Sequence, residues 1–399
     1  MIKIAVLGYG TIGSGVVEVL EKNKESITKR AGDEISVKYV LDLRDFENDP
    51  IQKKIVHDYN IIAEDEEIAV VVEAMGGVEP AYTFVKRALL AGKSVATSNK
   101  ALVAKHGAEL IDIAREKSIN FMFEASVGGG IPIIRPLNSS LTADEIEEIT
   151  GILNGTTNYM LTKMSNEGSD YADVLKEAQA KGYAEADPTA DVEGHDACRK
   201  IAILTSLVCG RQVDFEEIHT EGISKITATD IKYAKQMGRA IKLLATSRKT
   251  ENGYAAMVAP RMITAEHPLY NVNGVFNAIF VHGNVLGDAM FYGSGAGKLP
   301  TASAVIADII DIVKHLHKNI LVAWSSKKLE LSDYEKSSCR FFVRTAKSEE
   351  EVKKIFTDAE IIRVPGIDDE TGFLTQEMSE YDYKEAAERL GEIRQMIRA

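Results

Sequence analysis

Cysteine is scarce in this chain. Only Cys198, Cys209 and Cys339 occur among 399 residues, and no two of them form a C-x-x-C pair. That argues against a disulfide framework or a thiolate zinc site and leaves three buried thiols in a reducing compartment. The metal-binding spacing H-E-x-x-H is missing as well. No uninterrupted apolar run reaches the roughly 18 to 20 residues that a membrane helix requires. The opening MIKIAVLGYG lacks the cationic start, apolar block and small-residue cleavage site of a secretory signal, so a cytoplasmic location is expected. Positive charge is in deficit: 60 acidic residues face 47 Lys and Arg, for a net charge of −13. Such a surface favours solubility and lacks the basic stripe that nucleic acid binding needs. Internal repeats and low-complexity tracts are also absent.

What is present is ordinary globular material, 45% hydrophobic and 27% charged, in a length that predicts two or three domains. Over residues 1–135, strand-like and helix-like patterns alternate. Strands are expected at 2–7, 36–41, 69–73 and 94–96, with helices at 15–22, 80–91 and 107–117. Alternation with short links implies a parallel, doubly wound sheet of Rossmann type. From about Pro136 the pattern changes to α+β. Residues 146–153 read as a strand, and Thr156 or Thr157 is placed to cap the helix after it. A helix over 171–181 stops at Gly182, and a longer one runs over 193–209 with Ala197, Ile201, Leu204 and Val208 facing a core. Strands are expected at 254–259 and 278–281. The helix over 301–317 is expected to return to the first domain. Beyond a polar linker at 330–338, residues 339–399 read as a small third α+β domain, with strands at 340–344, 360–364 and 371–376 and a helix at 349–356.

Three stretches carry candidate chemistry. Gly8-Tyr9-Gly10-Thr11-Ile12-Gly13 is a G-x-G-x-x-G loop between a strand and a helix, the setting in which backbone N–H groups cradle a dinucleotide pyrophosphate. Asp42, at the end of the second strand, is the residue type that holds ribose hydroxyls and favours NAD. Arg44, two residues on, suits the 2′-phosphate of NADP, so the choice stays open. The second stretch runs through 182–200, where an acidic loop enters a helix and Asp196 and Lys200 lie one turn apart. Lys200 borders the apolar stripe, where desolvation would lower its pKa. An exposed helix ion pair fits the same spacing. His195, just before Asp196, reads as a solvated surface residue. The third stretch is double: Thr97-Ser98-Asn99-Lys100 follows the fourth strand, at the edge where ligands bind in open sheets. Glu124-Ala125-Ser126-Val127-Gly128-Gly129-Gly130-Ile131 offers either exposed carbonyls for a cation or a flexible hinge.

Taken together these segments resemble the homoserine dehydrogenases over about residues 1–320. The resemblance is carried, in order, by GYGTIG, ATSNKALVA, EASVGGGIPI, ILNGTTNYML, KGYAEADPTADVEGHDACRK and YGSGAGKLPTASAVIADI. It implies a reaction between L-homoserine and NAD(P)⁺ giving L-aspartate 4-semialdehyde, within threonine and methionine biosynthesis. By this resemblance Lys200 is the proton carrier and Asp196 the acid beside it, while Glu185 and Asp191 hold the amino acid substrate. An ammonium group needs such anionic partners. Lys100 falls on a second active-site lysine near substrate and cofactor. Gly8, Gly10, Thr11, Ile12, Gly13, Thr97, Gly182 and Gly297 fall on or beside cofactor positions. Glu124, Val127, Gly129 and Ile131 fall on a monovalent-cation site built largely from backbone carbonyls. A homodimer or larger assembly through the second domain (residues 136–300) is implied.

The C-terminal segment resembles an ACT domain only in part. Thr345-Ala346-Lys347-Ser348-Glu349 stands where the glycine-containing effector loop is usual. An assembly role is therefore expected for 339–399, with threonine sensing as the alternative. Two other functions compete with the main reading. One is a non-catalytic dinucleotide sensor, which would bind NAD(P) without turnover; the other is a dehydrogenase of a related small amino acid.

Overall fold

The computed structural model describes residues 1–399 and contains two main sheets. The first is parallel. Its strands are β1 (Ile2–Leu7), β2 (Ile35–Leu41), β3 (Ile55–Val56), β4 (Ile68–Glu73), β5 (Ser94–Thr97) and β6 (Phe121–Met122), in the order β3-β2-β1-β4-β5-β6. Ile4-Ala5-Val6-Leu7 and Val70-Val71-Val72 are fully buried. Helices cover both faces, which is why these strands read as unbroken apolar runs. The order reverses between β1 and β4, opening a crevice at their carboxyl ends.

The helix Lys298–Lys314 comes back from far along the chain to complete this layer. Its Ala302, Val305, Ile306 and Ile309 share a core cluster with Val6, Val16 and Val17. Gly15 makes the crossing possible, because a Cβ there would lie 2.9 Å from the Lys298 carbonyl oxygen.

The second sheet begins with β7 (Ile146–Ile152), β8 (Arg239–Thr250), β9 (Gly253–Thr264), β10 (Phe276–Gly283) and β11 (Gly287–Ser294). The helices Gly155–Glu167 and His195–Cys209 pack on one face, burying Ile149, Leu161, Ile201, Leu204 and Leu243 together. The segment 339–399 adds β12 (Phe341–Thr345), β13 (Glu360–Ile362), β14 (Thr371–Leu374) and β15 (Ile393–Arg398), with the helices Glu349–Ile355 and Glu380–Leu390 between them. This βαββαβ order is ferredoxin-like. Its strands extend the second sheet, in the order β11-β10-β7-β8-β9-β15-β12-β14-β13. The junction is fixed by Arg398, a buried guanidinium that donates to both oxygens of Glu221 at 2.8 Å and also pairs with Glu380.

Several boundaries differ from the sequence expectations, each for a local reason. The helix expected from 107 starts at Lys100, because the Asn99 side chain accepts the Leu102 N–H at 3.1 Å. Asn154, in place of Thr156 or Thr157, caps Gly155–Glu167 by accepting the Thr157 N–H at 2.9 Å. Asparagine in an extended conformation serves this role well. The helix expected from 193 starts at His195, because Gly194 takes a left-handed φ of 80° that a helix interior does not accommodate. Val208 lies at the margin of the core, while Ala197, Ile201 and Leu204 are buried. The strands β3, β8 and β11 lack a clear pattern: β3 has two residues, β8 carries Thr246, Arg248 and Thr250 on one face, and β11 exposes Met290 and Tyr292 beside Asp288 and Ser294.

Candidate active site

The glycine loop after β1 is built for close backbone approach. Gly8 has φ 93°, and a Cβ on Gly13 would stand 1.9 Å from the Gly8 carbonyl oxygen. A Cβ on Gly10 would meet nothing within 4 Å, so this position faces open space. The helix Thr11–Lys22 starts there without a side-chain cap, leaving the N–H groups of its first turn available to an anion. At the end of β2, Asp42 accepts the Tyr9 N–H at 2.8 Å and binds Arg44 in a fork, Nε to Oδ1 at 2.9 Å and Nη2 to Oδ2 at 3.0 Å. The hydrogen bond from the Arg44 guanidinium holds the Asp42 carboxyl well below the usual range. The acid and the base expected to compete for the ribose are thus bound to each other.

Across the crevice, two lysines from different helices, Lys100–Glu116 and His195–Cys209, meet on one carboxylate. Lys200 Nζ lies 2.9 Å from Asp196 Oδ2 and donates to the Leu153 carbonyl at 2.7 Å. The Lys100 ammonium, at the first residue of its helix, pairs with Asp196 Oδ1. The Lys200 side chain is 9% exposed and that of Lys100 is 42% exposed, so Lys200 is the more desolvated of the two. Burial pushes the Lys200 ammonium pKa down, Asp196 opposes this, and the charge of Lys100 reinforces it. Burial would raise the Asp196 carboxyl, but the two ammonium groups outweigh it and hold that carboxyl well below its ordinary value. Asp191 joins through Asn154, whose Nδ2 donates to Asp191 Oδ1 at 2.7 Å and to Asp196 Oδ2 at 3.0 Å. Burial raises the Asp191 carboxyl pKa, and the Asn154 hydrogen bond opposes that shift.

Other expected site residues lie outside this cluster. Glu185 is exposed, with no ion pair, on the loop after Gly182, which has φ 73°. His195 is exposed, one residue from Asp196. Thr97 is buried, and its hydroxyl donates to Glu73 at 2.5 Å. Gly297, at φ 116°, opens the helix Lys298–Lys314 without a side-chain cap. The Glu124 carboxylate accepts the N–H groups of Ile133, Ile134 and Arg135 at 2.6, 2.9 and 2.7 Å. Val127, Gly129 and Ile131 are buried, and their carbonyls accept no hydrogen bond from the protein.

Sequence reasoning missed Asn154 and Glu73. An Asn-Gly step between a strand and a helix is a capping signal that marks Asn154. Glu73 ends an otherwise apolar strand, a sign of a buried acid. Its carboxylate accepts from Thr97, from Asn99 Nδ2 at 3.4 Å and from the Met75 N–H at 2.8 Å, and burial raises its pKa.

Comparison with known proteins accounts for both halves of this arrangement. Residues 8–124 match the family model described as homoserine dehydrogenase, NAD binding domain, and residues 132–310 match the one described as homoserine dehydrogenase. Homoserine dehydrogenase of Pseudomonas aeruginosa is 45% identical over 314 residues, which cover 78% of this chain and 72% of that protein. The crystal structure of a homoserine dehydrogenase from Thiobacillus denitrificans aligns with a TM-score of 0.92 at 36% identity, covering 100% of this chain and 97% of the other. A hyperthermophilic archaeal homoserine dehydrogenase in complex with NADPH aligns at 0.67 and 30% identity, covering 78% of this chain and 97% of its own. This chain belongs to the homoserine dehydrogenase family of NAD(P)-dependent oxidoreductases.

Proposed function

We propose that the chain interconverts L-homoserine and L-aspartate 4-semialdehyde, with Lys200 as the proton carrier. The observation that carries this assignment is a nearly buried amine, Lys200, fixed 2.9 Å from Asp196 at a crevice suited to a dinucleotide. Burial favours its neutral form, which a general base requires. In oxidation, neutral Lys200 takes the proton from the C4 hydroxyl of homoserine as the hydride leaves C4. Bound NAD(P)⁺ supplies the acceptor for that hydride. In reduction, Lys200 returns the proton to the aldehyde oxygen. Asp196 orients both lysines, and Lys100 offers its ammonium to the substrate oxygen or carboxylate. Asp191 and Glu185 take the substrate ammonium. The product feeds threonine and methionine biosynthesis.

Gly8, Gly10, Thr11, Ile12 and Gly13 would hold the cofactor pyrophosphate, and Asp42 with Arg44 the adenosine ribose. Thr97, Gly182 and Gly297 would line the nicotinamide side, Thr97 through its backbone because its hydroxyl is committed to Glu73. The residues of the expected cation site fit a monovalent ion: three buried carbonyls lack donors, and the Glu124 side chain is already saturated by N–H groups. Glu124 would then contribute through its carbonyl. The chain is read as a Rossmann domain over 1–135 completed by the helix near 301–320, a substrate and dimerisation domain over 136–300, and an ACT-like assembly domain over 339–399. Assembly as a homodimer is supported by Phe276, Met290 and Tyr292, exposed together on β10 and β11.

The test is homoserine-dependent reduction of NAD⁺ and NADP⁺ at alkaline pH with wild type and Lys200→Ala. We expect turnover to fall roughly 100- to 10,000-fold in the variant while cofactor binding persists. A wild type that binds cofactor and leaves homoserine untouched would return the molecule to the sensor or alternative-substrate readings.

A further inference from the structure

Asn154 occupies a position that neither the proton transfer nor the cofactor loop explains. It sits where β7 ends and the helix Gly155–Glu167 begins, and it is 6% exposed. Its side chain has two ends with different tasks. The oxygen caps the helix, accepting the Thr157 N–H at 2.9 Å and the Thr157 hydroxyl at 3.1 Å. The amide nitrogen points the other way, where its two hydrogens reach two different carboxylates, Asp191 at 2.7 Å and Asp196 at 3.0 Å. The residue before it, Leu153, supplies the carbonyl that holds Lys200. One strand tip therefore touches every charged group of the cluster except Lys100.

We propose that Asn154 is a positioning residue for the reaction, its side-chain amide clamping Asp191 beside Asp196 so that Asp191 stays free and anionic for the substrate ammonium. Two carboxylates held on one nitrogen repel each other, and a buried carboxylate without a donor tends to take up a proton. The groups that act on Asp191 are few: Asp196, Lys100 and Lys200 by charge, and Asn154 by hydrogen bond. Both lysines pair directly with Asp196, leaving Asn154 as the only hydrogen-bond donor to the Asp191 carboxylate. Removing the amide leaves Lys200 its contacts with Asp196 and Leu153. The loss should therefore fall on substrate binding more than on the chemical step. This inference rests on the reading that Asp191 receives the ammonium group.

Asn154→Ser and Asn154→Asp separate the clamp from the cap, because both replacements are good helix caps and neither offers an amide. Thermal unfolding should change little in Asn154→Ser and fall in Asn154→Asp, where a third carboxylate is buried. In Asn154→Ser we expect KM for homoserine to rise roughly 10- to 100-fold, the size of a lost hydrogen bond to a charged group, while kcat falls much less. The acid limb of kcat/KM should move to higher pH, and further in Asn154→Asp, where a third carboxylate crowds the pair. KM for the cofactor should stay constant in both. Asp191→Asn is the control for the underlying reading. If it leaves KM for homoserine unchanged, Asp191 does not hold the ammonium. If Asp191→Asn raises KM while folded Asn154→Ser and Asn154→Asp leave both KM and the pH profile unmoved, Asn154 is a helix cap and nothing more.

Discussion

At the scale of single residues, identity and environment contribute unequally. The spacing of Asp196 and Lys200 is legible in the sequence as a one-turn pair. The same spacing describes countless exposed pairs worth a few tenths of a kcal/mol. The difference here is made by Leu153 and Asn154, just past the end of β7 and 40-odd positions earlier, and by Lys100 from the helix Lys100–Glu116. Asp42 gives a second residue-scale case. Its carboxylate is spent on Tyr9 and Arg44, so it fixes the loop and restrains the one nearby cation that could meet a 2′-phosphate. Asp42→Asn should free Arg44 and shift the ratio of kcat/KM for NADP⁺ over NAD⁺ upward by roughly tenfold, one charge-assisted hydrogen bond in size. An unchanged ratio would mean that this pair does not face the ribose.

At the scale of elements, caps and pins decide what periodicity does not. Hydrophobic spacing placed most helices, yet two of their starts depend on Asn99 and Asn154, each of which accepts the N–H three positions on. The loop before β10 is held differently. Lys242, buried in β8, donates to the Val272 carbonyl at 2.6 Å and to Asn273 Oδ1 at 2.9 Å, and it has no carboxylate partner. Burial lowers its pKa to about 8, below its value in the unfolded chain. Between that value and the ordinary lysine pKa, the unfolded chain binds the extra proton, so stability rises with pH across this window, by roughly 3 kcal/mol in full. Below about pH 8 the desolvation cost is present in full. Unfolding measured near pH 7.5 and pH 9.5 should show wild type gaining about 2 kcal/mol relative to Lys242→Met. Parallel curves for the two proteins would mean that Lys242 titrates normally.

At the scale of the whole molecule, the second sheet matters most. It runs from β11 through β7, whose end leads into Asn154, to the ferredoxin-like segment at the C-terminal end. Inside it, β15 lies between β9 and β12 and locks 339–399 in place through the buried Arg398 and its two glutamates. At one edge, β11 leaves Met290 and Tyr292 exposed, with Tyr292 stacked on Phe276 at 5.3 Å. An apolar face of this kind on a central sheet suits a symmetric contact with a second copy. Sedimentation should show a dimer for the wild type that Tyr292→Asp breaks, and an unaltered assembly would move the contact elsewhere on the molecule.

The sequence by itself determined the parts that depend on local patterns. The glycine loop needs three residues without side chains at fixed spacing, and the buried strands of a parallel sheet must be apolar throughout, so both can be read in one dimension. Family resemblance then attached chemistry to Lys200, Asp191 and Lys100. Tertiary structure decided the rest, because it depends on distance in space. It brought Lys100 to Asp196 across 96 positions of chain and drew β15 onto β9. It also took Lys200 out of water, and an amine's basicity depends on its solvent, which no spacing records.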